Sequence, residues 1–194
     1  MTTQQINIAP ATDRDRAVAV ITMAFAADPV VRWFIRDAGR YLAYFPAFVN
    51  AMAGGAFEKG TADVAEDFAG AALWLPPGVG PDEEQMGALA SQAVPEEEQE
   101  ERFSVLGQMG EFHPHEPHWY LPLIGVDLTQ QGRGYGSALL RHALARSDRD
   151  GLPAYLEATS PLNKRLYERH GFEEIGVIQA GASPPLWPML RKPR

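Results

Sequence analysis

The strongest constraint in this chain is the stretch from Leu121 to Leu140: an apolar run, Leu121 to Val126, then Gln131, Gly132, Arg133, Gly134, Tyr135 and Gly136, then Ser137-Ala138-Leu139-Leu140. It reads as strand, glycine-rich turn and helix. Three glycines in five positions let backbone approach a ligand without Cβ interference. The helix that follows offers unpaired N–H groups and the positive end of its dipole. A phosphate fits such a cradle; the alternative is a glycine turn with a structural role only. A P-loop is excluded, because Gly136 is followed by Ser137 and Ala138 with no Lys. A dinucleotide loop would need G-x-G-x-x-G early in a βαβ unit with an acidic residue about 20 residues on; here the pattern is G-x-G-x-G, late in the chain.

At 194 residues with 45% hydrophobic and 22% charged positions, the chain can bury one core, and a single domain over 1–194 is expected. No window approaches about 18 uninterrupted apolar residues, and Met1-Thr2-Thr3-Gln4-Gln5 has no basic leader character. The expectation is a cytoplasmic protein without a membrane partner. With no cysteine, disulfides, thiolate zinc sites and a cysteine nucleophile are excluded. A net charge of −8 argues against nucleic acid, which needs clustered Lys and Arg, and suits a cationic amine, though solubility alone explains an acidic balance.

Ile6 to Ala9 reads as a first strand, and Thr12 with Asp15 as the cap of a helix burying Ala17, Val18, Ile21, Ala24 and Phe25. Asp28-Pro29 starts a second helix; Asp37-Ala38-Gly39 breaks it, and a third runs from Arg40 to Gly54. Thr61–Glu66 and Ala71–Leu75 read as a hairpin. The stretch 81–109 is polar and helical in pattern, with Pro95 at a helix start and Glu96, Glu97, Glu98, Glu100 and Glu101 on a solvated face. After the strand Trp119–Val126 and the glycine-loop helix come a strand Ala154–Thr159, a helix Leu162–His170, a strand Phe172–Gln179 and a last strand Pro185–Leu190, placed at the sheet edge because of Pro188. The alternation is α+β.

The Q-x-x-G-x-G run after a V-D strand end, together with L-Y-E-R-H-G-F at 166–172 about 30 residues later, resembles the GNAT superfamily of N-acetyltransferases. The resemblance is densest to puromycin N-acetyltransferase-like proteins. It is carried from Glu116 to the C-terminus by E-P-x-W-Y-L, Q-G-R-G, G-S-A, G-L-P-A-Y-L-E, Y-E-R-x-G-F and R-K-P. It implies a mixed sheet of about six to seven strands flanked by helices, acetyl-CoA as cosubstrate, and a small-molecule amine acceptor, antibiotic-like in kind. It also implies an acceptor-side half over 1–115, a cofactor half over 116–194, and a homodimer, dimerisation being common among relatives.

By the same resemblance, backbone at Ile124, Gly125 and Val126 would bond the pantetheine, amides from Gly132 to Ser137 the diphosphate, and Ser160 and Asn163 the chain further along. Gln131 and Tyr135 belong to the same loop. Arg133 is either a phosphate partner or a solvated turn residue. Tyr167 would be the general acid at the sulfur; Asn163 lies four residues earlier, on the same helix face. The alternative for Tyr167 is packing under the sheet. The base is open among Glu157, His118 and Tyr120, with an ion pair the alternative for Glu157. Trp33, Phe34 and Asp28 are candidates for the acceptor pocket or for core. His113, His115 and His118 do not suit a metal, because Pro114 and Pro117 interrupt them and no thiolate exists. Rival functions are a protein or peptide acetyltransferase and a CoA-binding regulatory module without catalysis.

Overall fold

The computed structural model describes residues 6–194; Met1 to Gln5, read above for leader character, lie outside the described residues. Among the described residues seven strands pair into one sheet: β1 (Ile8–Pro10), β2 (Ala62–Ala65), β3 (Gly70–Leu75), β4 (Trp119–Val126), β5 (Ala154–Ala158), β6 (Glu173–Glu174) and β7 (Trp187–Arg191). Their order is β1-β2-β3-β4-β5-β7-β6. Every pairing is antiparallel except β4 with β5. The helices are α1 (Arg14–Ala24), α2 (Pro29–Phe34), α3 (Ala38–Glu58), α4 (Glu83–Ala93), α5 (Glu96–Phe112), α6 (Tyr135–Asp150) and α7 (Pro161–Arg169).

Strand alternation divides the core in two. Leu73, Leu75, Tyr120, Leu123 and Tyr155 face α1 and α3, whereas Ala72, Trp74, Leu121, Leu156 and Ala158 face α6 and α7. Gly125 allows the first packing to be close, since a Cβ there would lie 2.6 Å from Ala24 Cβ. On the other face the buried carboxylate of Asp63 on β2 is matched by Arg146 of α6, whose guanidinium also lies over Trp119 at 5.7 Å.

Several boundaries differ from the sequence reading. Asp13, not Thr12, caps α1, its carboxylate accepting from Arg16 N at 3.0 Å. The second helix ends before Asp37, as expected, but Asp37 also caps the third, so α3 begins at Ala38 instead of Arg40 and continues past Gly54 to Glu58 around Pro46. The 81–109 stretch is two helices, because Pro95 ends the first and lacks the donor to continue it. The acidic run is not wholly solvated: Glu98 and Glu101 pair with Arg102, which is 1% exposed and stacks on Trp33 at 4.0 Å. Phe172–Gln179 contributes only two strand residues and one bridge, Ile178 to Leu186. β7 is not an edge strand. The Pro188 carbonyl accepts from Ile175 N at 2.9 Å, so its missing donor faces the short β6, and β5 asks nothing of it.

Candidate active site

β4 and β5 pair only at Trp119 with Ala154 and Tyr120 with Tyr155, then part. The cause lies in β4. Between the pairs Leu73 with Leu123 and Leu75 with Tyr120 it carries one residue more than β3, a bulge at Leu121–Pro122 where a proline is tolerated and the strand bends. A cleft of about 420 Å³ opens at the divergence.

Most of the cofactor residues expected from the sequence come together there. Ile124, Gly125, Val126, Gln131, Gly132, Gly134, Tyr135, Gly136, Ser137, Asn163 and Tyr167 all line this cleft. The loop is built by Asp127, whose carboxylate accepts from Thr129 N at 2.7 Å, and by Gly132 and Gly134, with φ of 76° and 90°. That left-handed geometry is native to glycine and turns the first amides of α6 to the opening. Two expected residues lie elsewhere. Arg133 is exposed between the two left-handed glycines and does not reach the cleft wall. The Ser160 hydroxyl is committed to capping α7, accepting from Asn163 N at 3.2 Å. The Ser137 hydroxyl is engaged with His170 Nε2 at 3.1 Å.

Tyr167 is buried, packs edge-on against Phe172 at 6.0 Å, and its hydroxyl has no hydrogen bond among the described residues. Burial, reinforced by the negative charge of Asp28, raises its pKa above the usual 10, so the proton stays on oxygen at neutral pH. Asp28 itself caps α2: Oδ1 accepts from Val30 N and Val31 N at 3.0 Å, and Oδ2 from the Thr159 hydroxyl. Burial raises its pKa against those hydrogen bonds. The sequence suggested Asp28 for the acceptor pocket with Trp33 and Phe34; the structure separates them. Asp28 walls the cofactor cleft, Phe34 lines an apolar pocket, and Trp33 is core under Arg102.

Glu157 lies on the opposite sheet face from Tyr167, beside Tyr155 and Tyr120. Its Oε2 accepts from the Tyr120 hydroxyl at 3.0 Å, while Oε1 is buried without a partner among the described residues. Among the described residues no ion pair holds it, and burial pushes its carboxyl up to about 7 against the lowering effect of the Tyr120 and Tyr155 hydroxyls. Glu157 and Tyr120 wall both the apolar pocket, about 110 Å³, and an outer cleft of about 630 Å³. His118 does not line either; its Nδ1 donates to the Glu116 carbonyl at 2.7 Å and its Nε2 faces His113 Nε2 at 3.0 Å. His113, which the sequence singled out only as a metal candidate, lines the outer cleft and stacks edge-on against Tyr120 and Tyr155. Burial, helped by the other two histidines, lowers it to about 4. His113 is therefore neutral at neutral pH. Phe25, missed by pattern because it reads as core, lines both the cofactor cleft and the apolar pocket.

Residues 62–172 match the model of the acetyltransferase (GNAT) family. An uncharacterized N-acetyltransferase of Schizosaccharomyces pombe is 36% identical over 78 residues, which cover 39% of this chain and about a third, 32%, of that protein's length. Among solved structures, histone acetyltransferase HPA2 and related acetyltransferase from Corynebacterium glutamicum is 29% identical, covers 98% of each chain and superposes with a TM-score of 0.71. Arylalkylamine N-acetyltransferase 2 from Aedes aegypti shares the fold at 13% identity, with a TM-score of 0.66 over 98% of this chain and 100% of that one.

Proposed function

Since the chain belongs to the GNAT family of acetyltransferases, we propose that it moves the acetyl group of acetyl-CoA directly onto the primary amine of a small, antibiotic-like molecule. The observation that carries this reading is that the glycine loop, the free first amides of α6 and the Tyr167 hydroxyl open on one cleft where β4 and β5 part. An activated thioester is what acetyl-CoA supplies when bound. The residues fit it: glycines leave room for a diphosphate at a helix N-terminus, and the parted edge of β4 offers backbone groups to an extended chain.

Nitrogen attack forms the C–N bond and breaks C–S. The amine gives up one proton and the departing sulfur needs one. Tyr167, held neutral, donates to sulfur. Glu157, titrating near neutrality and reached from the amine through water, takes the other. An N–H near Val126 polarises the acetyl oxygen. On this reading the first 115 residues supply most of the acceptor side and 116–194 the donor side, with Glu157 and Thr159 reaching across. The likeness over 116–194 to puromycin N-acetyltransferase-like proteins supports the antibiotic-like acceptor.

Calorimetric titration with acetyl-CoA should give saturable one-to-one binding. Tyr167→Phe should keep that affinity within about threefold while kcat falls by about 10² to 10⁴. No binding at millimolar acetyl-CoA overturns the proposal, and unchanged turnover removes Tyr167 from it.

A further inference from the structure

We propose that His170 is a positioning residue for the donor: its Nε2–H donates to the Ser137 hydroxyl oxygen and so turns the Ser137 proton toward a diphosphate on the glycine loop. This rests on the acetyl-CoA reading above. Ser137 belongs to the first turn of α6 and lines the cofactor cleft. The cap of that helix is Gly134, which gives no side-chain hydrogen bond, so the first turn meets the cleft with its own amides and this hydroxyl. His170 Nε2 stands 3.1 Å from Ser137 Oγ, 33 positions later in the chain. Its place is fixed from behind. His170 ends α7 with its backbone N–H on the Tyr167 carbonyl at 2.9 Å, and its own carbonyl accepts from Arg191 Nε at 3.1 Å. Arg191 is in turn 4% exposed and donates to both carboxylate oxygens of Asp148, at 2.7 and 2.9 Å.

A hydroxyl beside an anion helps only when its proton points there, because oxygen lone pairs facing a phosphate repel it. The neighbour of the hydroxyl decides which is presented. Burial, then the charges of Arg141, Arg169, Arg191 and Arg194, lower the His170 pKa from its ordinary 6.5, so the ring is neutral at neutral pH. A neutral ring offers either an N–H or a lone pair at Nε2. With a lone pair there, the Ser137 proton is drawn to the ring and only oxygen lone pairs remain for the phosphate. A bound diphosphate therefore selects the Nε2–H tautomer, in which Ser137 accepts from His170 and donates to the ligand. The arginines do not take over this task. Arg191 is committed to Asp148 and Arg194 covers Gly171, while Arg169 on the cleft wall adds charge without orienting the hydroxyl.

The test is calorimetric titration with acetyl-CoA of the wild type, Ser137→Ala, His170→Asn, His170→Gln and the double variant Ser137→Ala with His170→Asn, each first shown by melting to be folded. Losing a hydrogen bond to a charged group costs about tenfold or more in affinity, and Ser137→Ala should show that loss. Asn suits a helix end but is too short to reach Ser137, and His170→Asn should weaken binding at least about threefold. Gln brings an amide N–H close to the Nε2 position, and His170→Gln should stay within about twofold of wild type. In the double variant the losses should not multiply: with the hydroxyl gone, His170→Asn adds less than about twofold. A merely structural His170 would give a loss that His170→Gln does not repair, or one that persists beside Ser137→Ala; either result overturns the inference, as does full affinity in Ser137→Ala or His170→Asn. Should His170→Asn not fold, Ser137→Ala against wild type decides. All of these outcomes leave acetyl transfer standing, whereas a wild type that does not bind acetyl-CoA overturns both.

Discussion

Glu157→Gln should make the protein more stable at alkaline pH and change little at acid pH. The carboxyl titrates near 7 in the folded chain against an ordinary 4.5, chiefly because burial disfavours its charge. Between those midpoints the folded state binds the proton and the unfolded state does not, so stability falls as pH rises. The penalty is absent below about pH 4.5 and fully developed above about pH 7. At about 1.4 kcal/mol per tenfold change in proton affinity, it reaches about 3 kcal/mol. Gln keeps an oxygen for the Tyr120 hydroxyl and cannot ionise. The stability difference, variant minus wild type, should therefore grow by about 3 kcal/mol between about pH 4 and about pH 8. Urea denaturation followed by tryptophan fluorescence at several pH values reads it directly, since other titrating groups cancel in the difference. A difference that stays flat across that range would refute the argument that burial holds Glu157 protonated. The same ionisation predicts that the variant loses a rise in kcat/KM through about pH 7.

Two further substitutions test the scaffold. Gly134→Ala forces a side chain into a φ of 90°, which should cost about 1 to 2 kcal/mol in denaturation and weaken acetyl-CoA several-fold by calorimetry; unchanged values would mean the loop can relax. Arg146→Met strands the buried Asp63 carboxylate and should destabilise by about 3 kcal/mol at neutral pH, with most of the loss recovered by adding Asp63→Leu. A single variant as stable as wild type would show that Asp63 finds another partner.

The glycine loop and β4 were legible because their determinants are local: turn glycines, an apolar run and a helix start within one short stretch. Tyr167 and Asn163 were legible as a pair because helix spacing puts them on one face. What the sequence could not reveal depends on contacts between distant segments. That Tyr120 rather than a basic residue partners Glu157 depends on the pairing of β4 with β5 across 37 positions of sequence. Arg102 sits in the apolar interior because Trp33 of α2 stacks on a guanidinium that Glu98 and Glu101 of its own helix already pair with, and only the glutamates were in local reach. Pro188 misled because a proline in a strand signals an edge unless one knows which neighbour its nitrogen faces.

The parting of β4 and β5 perforates the sheet. Under the proposed function, the donor arrives from the side of α6 and α7 and the acceptor from the side of α3, α4 and α5, so neither must pass the other to enter or leave. Kinetics of such an enzyme should run through a ternary complex with no compulsory order imposed by access. A molecule joining the two substrates would thread the protein, anchored on both faces by one covalent chain.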